Sequence, residues 1–227
     1  MGGGMAIREY YEMIKTDAED WSVGKFWQPR ALVLLFFIWI FVHHFLSWVG
    51  VVDHPYMNFF IGRANFLVHE LGHFVFMPFG QFLGIAGGSI FQCLAPIILM
   101  AGFYRQRDYF AIAFGVCWLA TNFFYVATYI GDARAQELQL LSPSGASEPI
   151  HDWNFLLGEL GWLNADTTFA LLVRLLGVAT MAAGLAFGSW LIMNMIYRKQ
   201  KHTKPPAGDI PLNRSVDKKP MRDNLFR

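Results

Sequence analysis

Hydrophobic positions fall in long unbroken runs rather than in alternation. Residues 31–52 read ALVLLFFIWIFVHHFLSWVGVV and contain no Asp, Glu, Lys or Arg. A bilayer core of about 30 Å needs roughly 20 such residues as a helix. Further runs cover 58–79, 89–104, 109–131 and 168–197. The run 58–79 is interrupted by Arg63, His69, Glu70 and His73. The last is longer than a bilayer requires, so it should tilt or project into water. Backbone groups in lipid must be satisfied within their own segment, which favours helices. The pattern predicts an all-α polytopic membrane protein with about five transmembrane helices, its membrane domain spanning 31–197.

The flanks read differently. Residues 1–30 are polar and lack the apolar core of a signal peptide. Ile7, Tyr10, Tyr11 and Ile14 place a short amphipathic helix there, ahead of a connector ending at Pro29. Residues 198–227 hold nine of the 18 Lys and Arg and four of the 10 Pro, which predicts a basic, disordered tail. Its charge suits anionic lipid headgroups. The extramembrane segment 132–167 carries one Arg against six acids. Positive charge collects on the cytoplasmic side, so the tail and the loop with Arg105 and Arg107 should be cytoplasmic and 132–167 extracytoplasmic. With five spans the N-terminus then lies outside, with Arg30 against that placement.

Composition narrows the class further. The chain is 55% hydrophobic and only 15% charged, where a soluble domain carries about 25%. Two cysteines, Cys93 and Cys117, exclude a disulfide scaffold, and both fall in spans as packing residues. A net charge of +1 gives no pull towards nucleic acid.

The chemistry gathers in His69-Glu70-Leu71-Gly72-His73, an H-E-x-x-H pentad. Residues i and i+4 of a helix share a face, so both imidazoles can hold one ion. Glu70 stands beside them and can take a proton from water acidified by a metal. Three ionisable groups in five residues of an apolar helix are costly unless partnered. Zinc (Zn2+) needs a third protein ligand in such a site. Asp132, at the end of the fourth run, is the first choice, and its other reading is a helix-end carboxylate paired with Arg134. His151 and Asp152 are the alternative, or a fourth ligand, if their segment folds back over the site. His43 and His44 are adjacent and point about 100° apart on a helix. They suit buried, hydrogen-bonded rings better than ligands for haem or a second metal.

These residues resemble the site-2 protease family of intramembrane zinc metalloproteases. The match is the H-E-L-G-H pentad inside a membrane helix, a Gly-rich connector (Gly84, Gly87, Gly88), a further span, and an aspartate on the next one. It covers about residues 58–134. The resemblance implies zinc held by His69, His73 and Asp132, with Glu70 as general base. It also implies Asn122 as a group that holds an extended substrate. The usual Leu-Asp-Gly is replaced here by Gly131-Asp132-Ala133, and no PDZ domain lies between the core helices.

Two functions follow. One is a zinc-dependent intramembrane endopeptidase acting on a membrane-embedded or membrane-proximal peptide bond. The other is a catalytically inactive, metal-binding subunit of a larger membrane complex. A site with three protein ligands and Glu70 left over favours the first, and a closed four-ligand site including His151 favours the second.

Overall fold

The computed structural model describes residues 7–51, 60–138 and 150–203. Every regular element among them is helical. Seven α-helices follow in order: α1 (Ile7–Trp21), α2 (Gln28–Trp48), α3 (Phe60–Phe76), α4 (Gln81–Arg105), α5 (Tyr109–Gly131), α6 (Asp152–Glu159) and α7 (Asp166–Thr203). The basic tail from residue 204 onward lies outside the described residues.

Among the described residues, four helical segments are long and apolar enough to cross a membrane: Gln28–Trp48, Gln81–Arg105, Tyr109–Gly131 and Leu163–Arg198. They are compatible with a multi-pass integral membrane protein. The fifth expected span, 58–79, forms α3 and a short 3-10 turn (Met77–Phe79). At 17 residues, α3 covers about 25 Å at 1.5 Å per residue, short of a hydrocarbon core. Residues 84–88, expected as a connector, belong instead to the first turns of α4. Gly80 breaks the chain just before it, at φ +96°, a conformation that suits glycine.

α5 is the centre. Asp108 caps its start by accepting from Ala111 N at 3.1 Å, and α5 buries residues on all faces. α7 packs along it in the opposite direction. Tyr109 and Ala113 of α5 cluster with Leu191 and Met195 of α7. Further along, Phe124 faces Gly177, and Gly131 faces Ala170. α2 runs with α5: Leu34 sits in the cluster with Tyr109, and His44 stacks on Phe124 with ring centroids 4.0 Å apart.

α3 also runs with α5 but starts lower in the bundle. Ile61, in its first turn, packs with Cys117, Ala120 and Phe124 from the middle of α5. α2, by contrast, ends at the α6 end, where Trp48 meets Arg174 of α7 at 5.2 Å. So α3 begins at half depth and returns to the side on which α2 ended. A fifth crossing by 58–79 is thus not confirmed, and four long apolar helices remain among the described residues. α1 and the far end of α7 lie together: Arg198 pairs with Glu19 at 2.8 Å and Asp20 at 3.2 Å. Tyr10 meets Tyr104 at 2.9 Å, and Arg107 pairs with Asp17 at 3.5 Å. The N-terminal helix is therefore at the same end of the bundle as the end of α7, not at the opposite one.

Candidate metal centre

The pentad sits in the outer half of α3, level with the last turns of α5. There His69 lies beside Tyr125 and Tyr129, with ring centroids 6.2 and 5.9 Å away. α3 and α4 approach closely because glycine meets glycine. A Cβ on Gly72 would collide with the Gly87 backbone, and one on Gly87 with Phe76. One residue on, a Cβ at Gly88 would stand 2.6 Å from His69 Nε2 and 2.7 Å from His73 Cε1. The two imidazoles therefore lie on a bare patch of α4.

α4 also fixes their tautomers. His69 Nδ1 is 2.7 Å from Gln92 Oε1. Gln92 is oriented by its own Nε2, which donates to Asn122 O at 3.4 Å. His73 Nδ1 is 2.9 Å from the Gly84 carbonyl. An amide or carbonyl oxygen only accepts, so both Nδ1 atoms carry a proton and donate. In the neutral ring, both Nε2 atoms then present a lone pair.

Those lone pairs face a carboxylate. Asp152 Oδ2 lies 2.9 Å from His69 Nε2 and 3.3 Å from His73 Nε2. Three acceptors converge, and only a cation reconciles them: protons on the rings, or a metal ion. Burial raises the Asp152 carboxyl, but hydrogen bonds and charge from His69 and His73 outweigh that and hold it below the usual carboxylate range. Glu70 is the second acid at the site. Its ligand atom and those of the two histidines lie within 4.8 Å of one another, a group able to hold a metal ion. Two carboxylates thus flank one histidine pair. Asp152 is buried, and Glu70 is half-buried.

α6 delivers Asp152 through four consecutive residues. His151 Nδ1 accepts from Asn154 N at 3.2 Å and so caps α6. Its Nε2 must then carry the proton, which it donates to Asp132 Oδ2 at 3.1 Å. Asp152 N donates to Tyr129 Oη at 3.1 Å. Trp153 Nε1 donates to Ser89 Oγ at 3.1 Å, and Asn154 Nδ2 to Ala133 O at 2.8 Å.

The expected site residues thus divide. His69, Glu70, His73 and Asp152 come together. Asp132 does not sit at the histidine pair; its carboxylate takes His151 and the backbone N–H groups of Glu137 and Leu138. Nor does it pair with Arg134, which binds Asp166 at 2.7 Å. His151 has both ring nitrogens engaged away from the pair. Asn122 is buried, its side chain donating to Trp118 O at 3.2 Å, and it serves the site through its backbone oxygen. His44 packs on Phe124, and His43 lies beside Trp39 with ring centroids 5.8 Å apart. Gln92 was missed in the sequence, and Gly88 was named there only as part of a connector. A glutamine inside an apolar run was the available signal for the first.

No protein-family model matches the chain, and neither the curated proteins nor the solved structures contain a match to it.

Proposed function

We propose that the chain is a zinc-dependent intramembrane endopeptidase, with His69, His73 and Asp152 holding the metal and Glu70 acting as the general base. The observation that carries this is the convergence of two Nε2 lone pairs and one carboxylate oxygen, with both Nδ1 protons already committed. That donor set fits zinc, which takes imidazole nitrogen and carboxylate oxygen. When bound, zinc supplies Lewis-acid polarisation and lowers the pKa of water. His151 is spent on Asp132 and on the α6 cap, so it does not serve as a fourth ligand. Glu70 is close enough to the histidines to reach an ion itself; we assign it the base because Asp152 already meets both Nε2 atoms.

The chain's own groups then have assigned work. Gln92 Oε1 and the Gly84 carbonyl hold the imidazoles in register and increase their basicity. Tyr125, Tyr129 and α6 wall the site and limit water. Glu70 takes a proton from the attacking water and returns it to the leaving amine. The resemblance of the pentad to site-2 proteases supports the same chemistry. Here, however, the third ligand comes from a helix outside the spans rather than from Asp132.

The end of the bundle with Lys15, Lys25, Arg30, Arg105, Arg107 and Arg198 is the cytoplasmic one on the positive-inside rule. The metal centre then lies at the extracytoplasmic edge, and the substrate is a membrane protein cut near that edge.

The test is Glu70→Gln in the full chain. Zinc content and melting should match the parent, while turnover falls by roughly 10²–10⁴-fold. It is scored as an uncleaved membrane protein that accumulates in cells carrying the variant. Normal zinc with no accumulating protein would favour the inactive-subunit reading.

A further inference from the structure

α2 and α5 begin side by side at the end of the bundle that carries α1. Between their first turns lies a recess of ≈ 390 Å³, lined by Pro29, Arg30, Val33, Asp108, Phe110 and Phe114. That volume is within the range of small-molecule sites. Two opposite charges stand in it. The Arg30 guanidinium is fixed over the rings of Trp21 and Phe110, at 5.5 and 5.6 Å, and donates to Phe26 O. Its Nε is buried without a hydrogen-bond partner. Asp108 accepts from Ala111 N. Arg30 and Asp108 form no ion pair with each other, although both line the same recess.

The recess is graded. Arg30 and Asp108 sit where two membrane helices start, at headgroup level. Val33 and Phe114 lie about one turn further along α2 and α5, at the depth of acyl chains. Two helix N-termini add partial positive charge near Arg30.

We propose that this recess binds one glycerophospholipid with a primary ammonium headgroup, of the phosphatidylethanolamine class. The phosphate meets Arg30 and the ammonium meets Asp108. An acyl chain runs past Val33 and Phe114. A free anion is a poorer occupant, because it would face the Asp108 carboxylate and leave the apolar part unfilled. A purely anionic lipid meets the same repulsion. A choline headgroup has no N–H to donate to Asp108.

The experiment is native mass spectrometry of the delipidated full chain in detergent. Phosphatidylethanolamine, phosphatidylcholine and phosphatidylglycerol are added at equal concentration. The parent should take up one phosphatidylethanolamine in preference to the other two. Asp108→Asn keeps a good helix cap and should lose the preference over phosphatidylcholine while still binding phospholipid. Arg30→Gln should weaken the first binding event for all three by about ten-fold, since a charge-assisted hydrogen bond is lost. An unchanged ethanolamine-to-choline ratio in Asp108→Asn overturns the proposal. So does a parent that prefers phosphatidylglycerol.

Discussion

Gln92 Oε1 holds His69 Nδ1 at 2.7 Å across the α3–α4 contact. This contact sets which ring nitrogen carries the proton and which presents a lone pair. Outer partners of metal-binding histidines are worth about 10–100-fold in affinity. Gln92→Ala should therefore lower zinc affinity by that amount, read by competition with a chromogenic chelator. Gln92→Glu keeps an acceptor at the same place and should lose much less. Equal affinity in Gln92→Ala and the parent would mean that His69 is not a ligand through Nε2.

Gly88 separates the histidines from α4. Gly88→Ala puts a methyl group 2.6 Å from His69 Nε2. Overpacking of this kind costs about 1–3 kcal/mol, and here it also pushes apart the ligand atoms. Metal content should fall and the melting temperature with it. Gly84→Ala is the control. Its Cβ would sit 3.4 Å from Met77 Cα, an ordinary contact, so zinc content should stay near that of the parent.

Asp152 and Asp132 should fail differently. Asp152→Ala removes the proposed third ligand and should abolish stoichiometric zinc, while α6 keeps its His151, Trp153 and Asn154 contacts. Asp132→Asn removes the carboxylate that accepts from His151 Nε2. Asn still offers His151 an acceptor and touches none of the proposed ligands, so the site should stay filled, with zinc affinity near that of the parent. Elemental analysis across a series of free-zinc buffers distinguishes the two. The reverse order of effects would return Asp132 to the metal.

The placement of α1 and the far end of α7 on one side is testable without any substrate. Single cysteines at Lys25, Arg105 and Trp162, all exposed, are introduced into a chain lacking Cys93 and Cys117. Lys25→Cys and Arg105→Cys should react with an impermeant maleimide from one face of sealed vesicles, and Trp162→Cys from the other. Labelling of Lys25→Cys and Trp162→Cys from the same face would restore an odd number of crossings.

The helical class and the pentad could be read from residue order, because both are local. A charge-free run reports its own length, and a spacing of four reports a shared face. What could not be read was depth. α3 has the composition of a span with polar insertions. Only the packing of Ile61 against Cys117 shows that it starts halfway down. The acid that joins the histidines was ranked wrongly for a related reason: Asp132 was the first choice and Asp152 the alternative. Asp132 lies at the end of α5, where a ligand was expected, but its oxygens are occupied by the chain that follows it. Asp152 reaches the histidines because α6 folds back over them, and no local pattern announces that return. The Gly-rich stretch was visible and was taken as a link, since glycine suggests turns in water-soluble proteins. Between membrane helices it also marks close contact.

The contact between His69 and Asp152 joins residues 83 apart in sequence. Everything between them, α4 and α5 included, must already be in place before it can form. Closing so long a loop costs chain entropy that neither side chain can recover alone. Contacts of this separation come late in folding. The centre is thus a record of completed assembly. A chain arrested with α4 and α5 still unpaired has its pentad but not Asp152, and a nascent molecule cannot bring this cluster together before its membrane helices have packed.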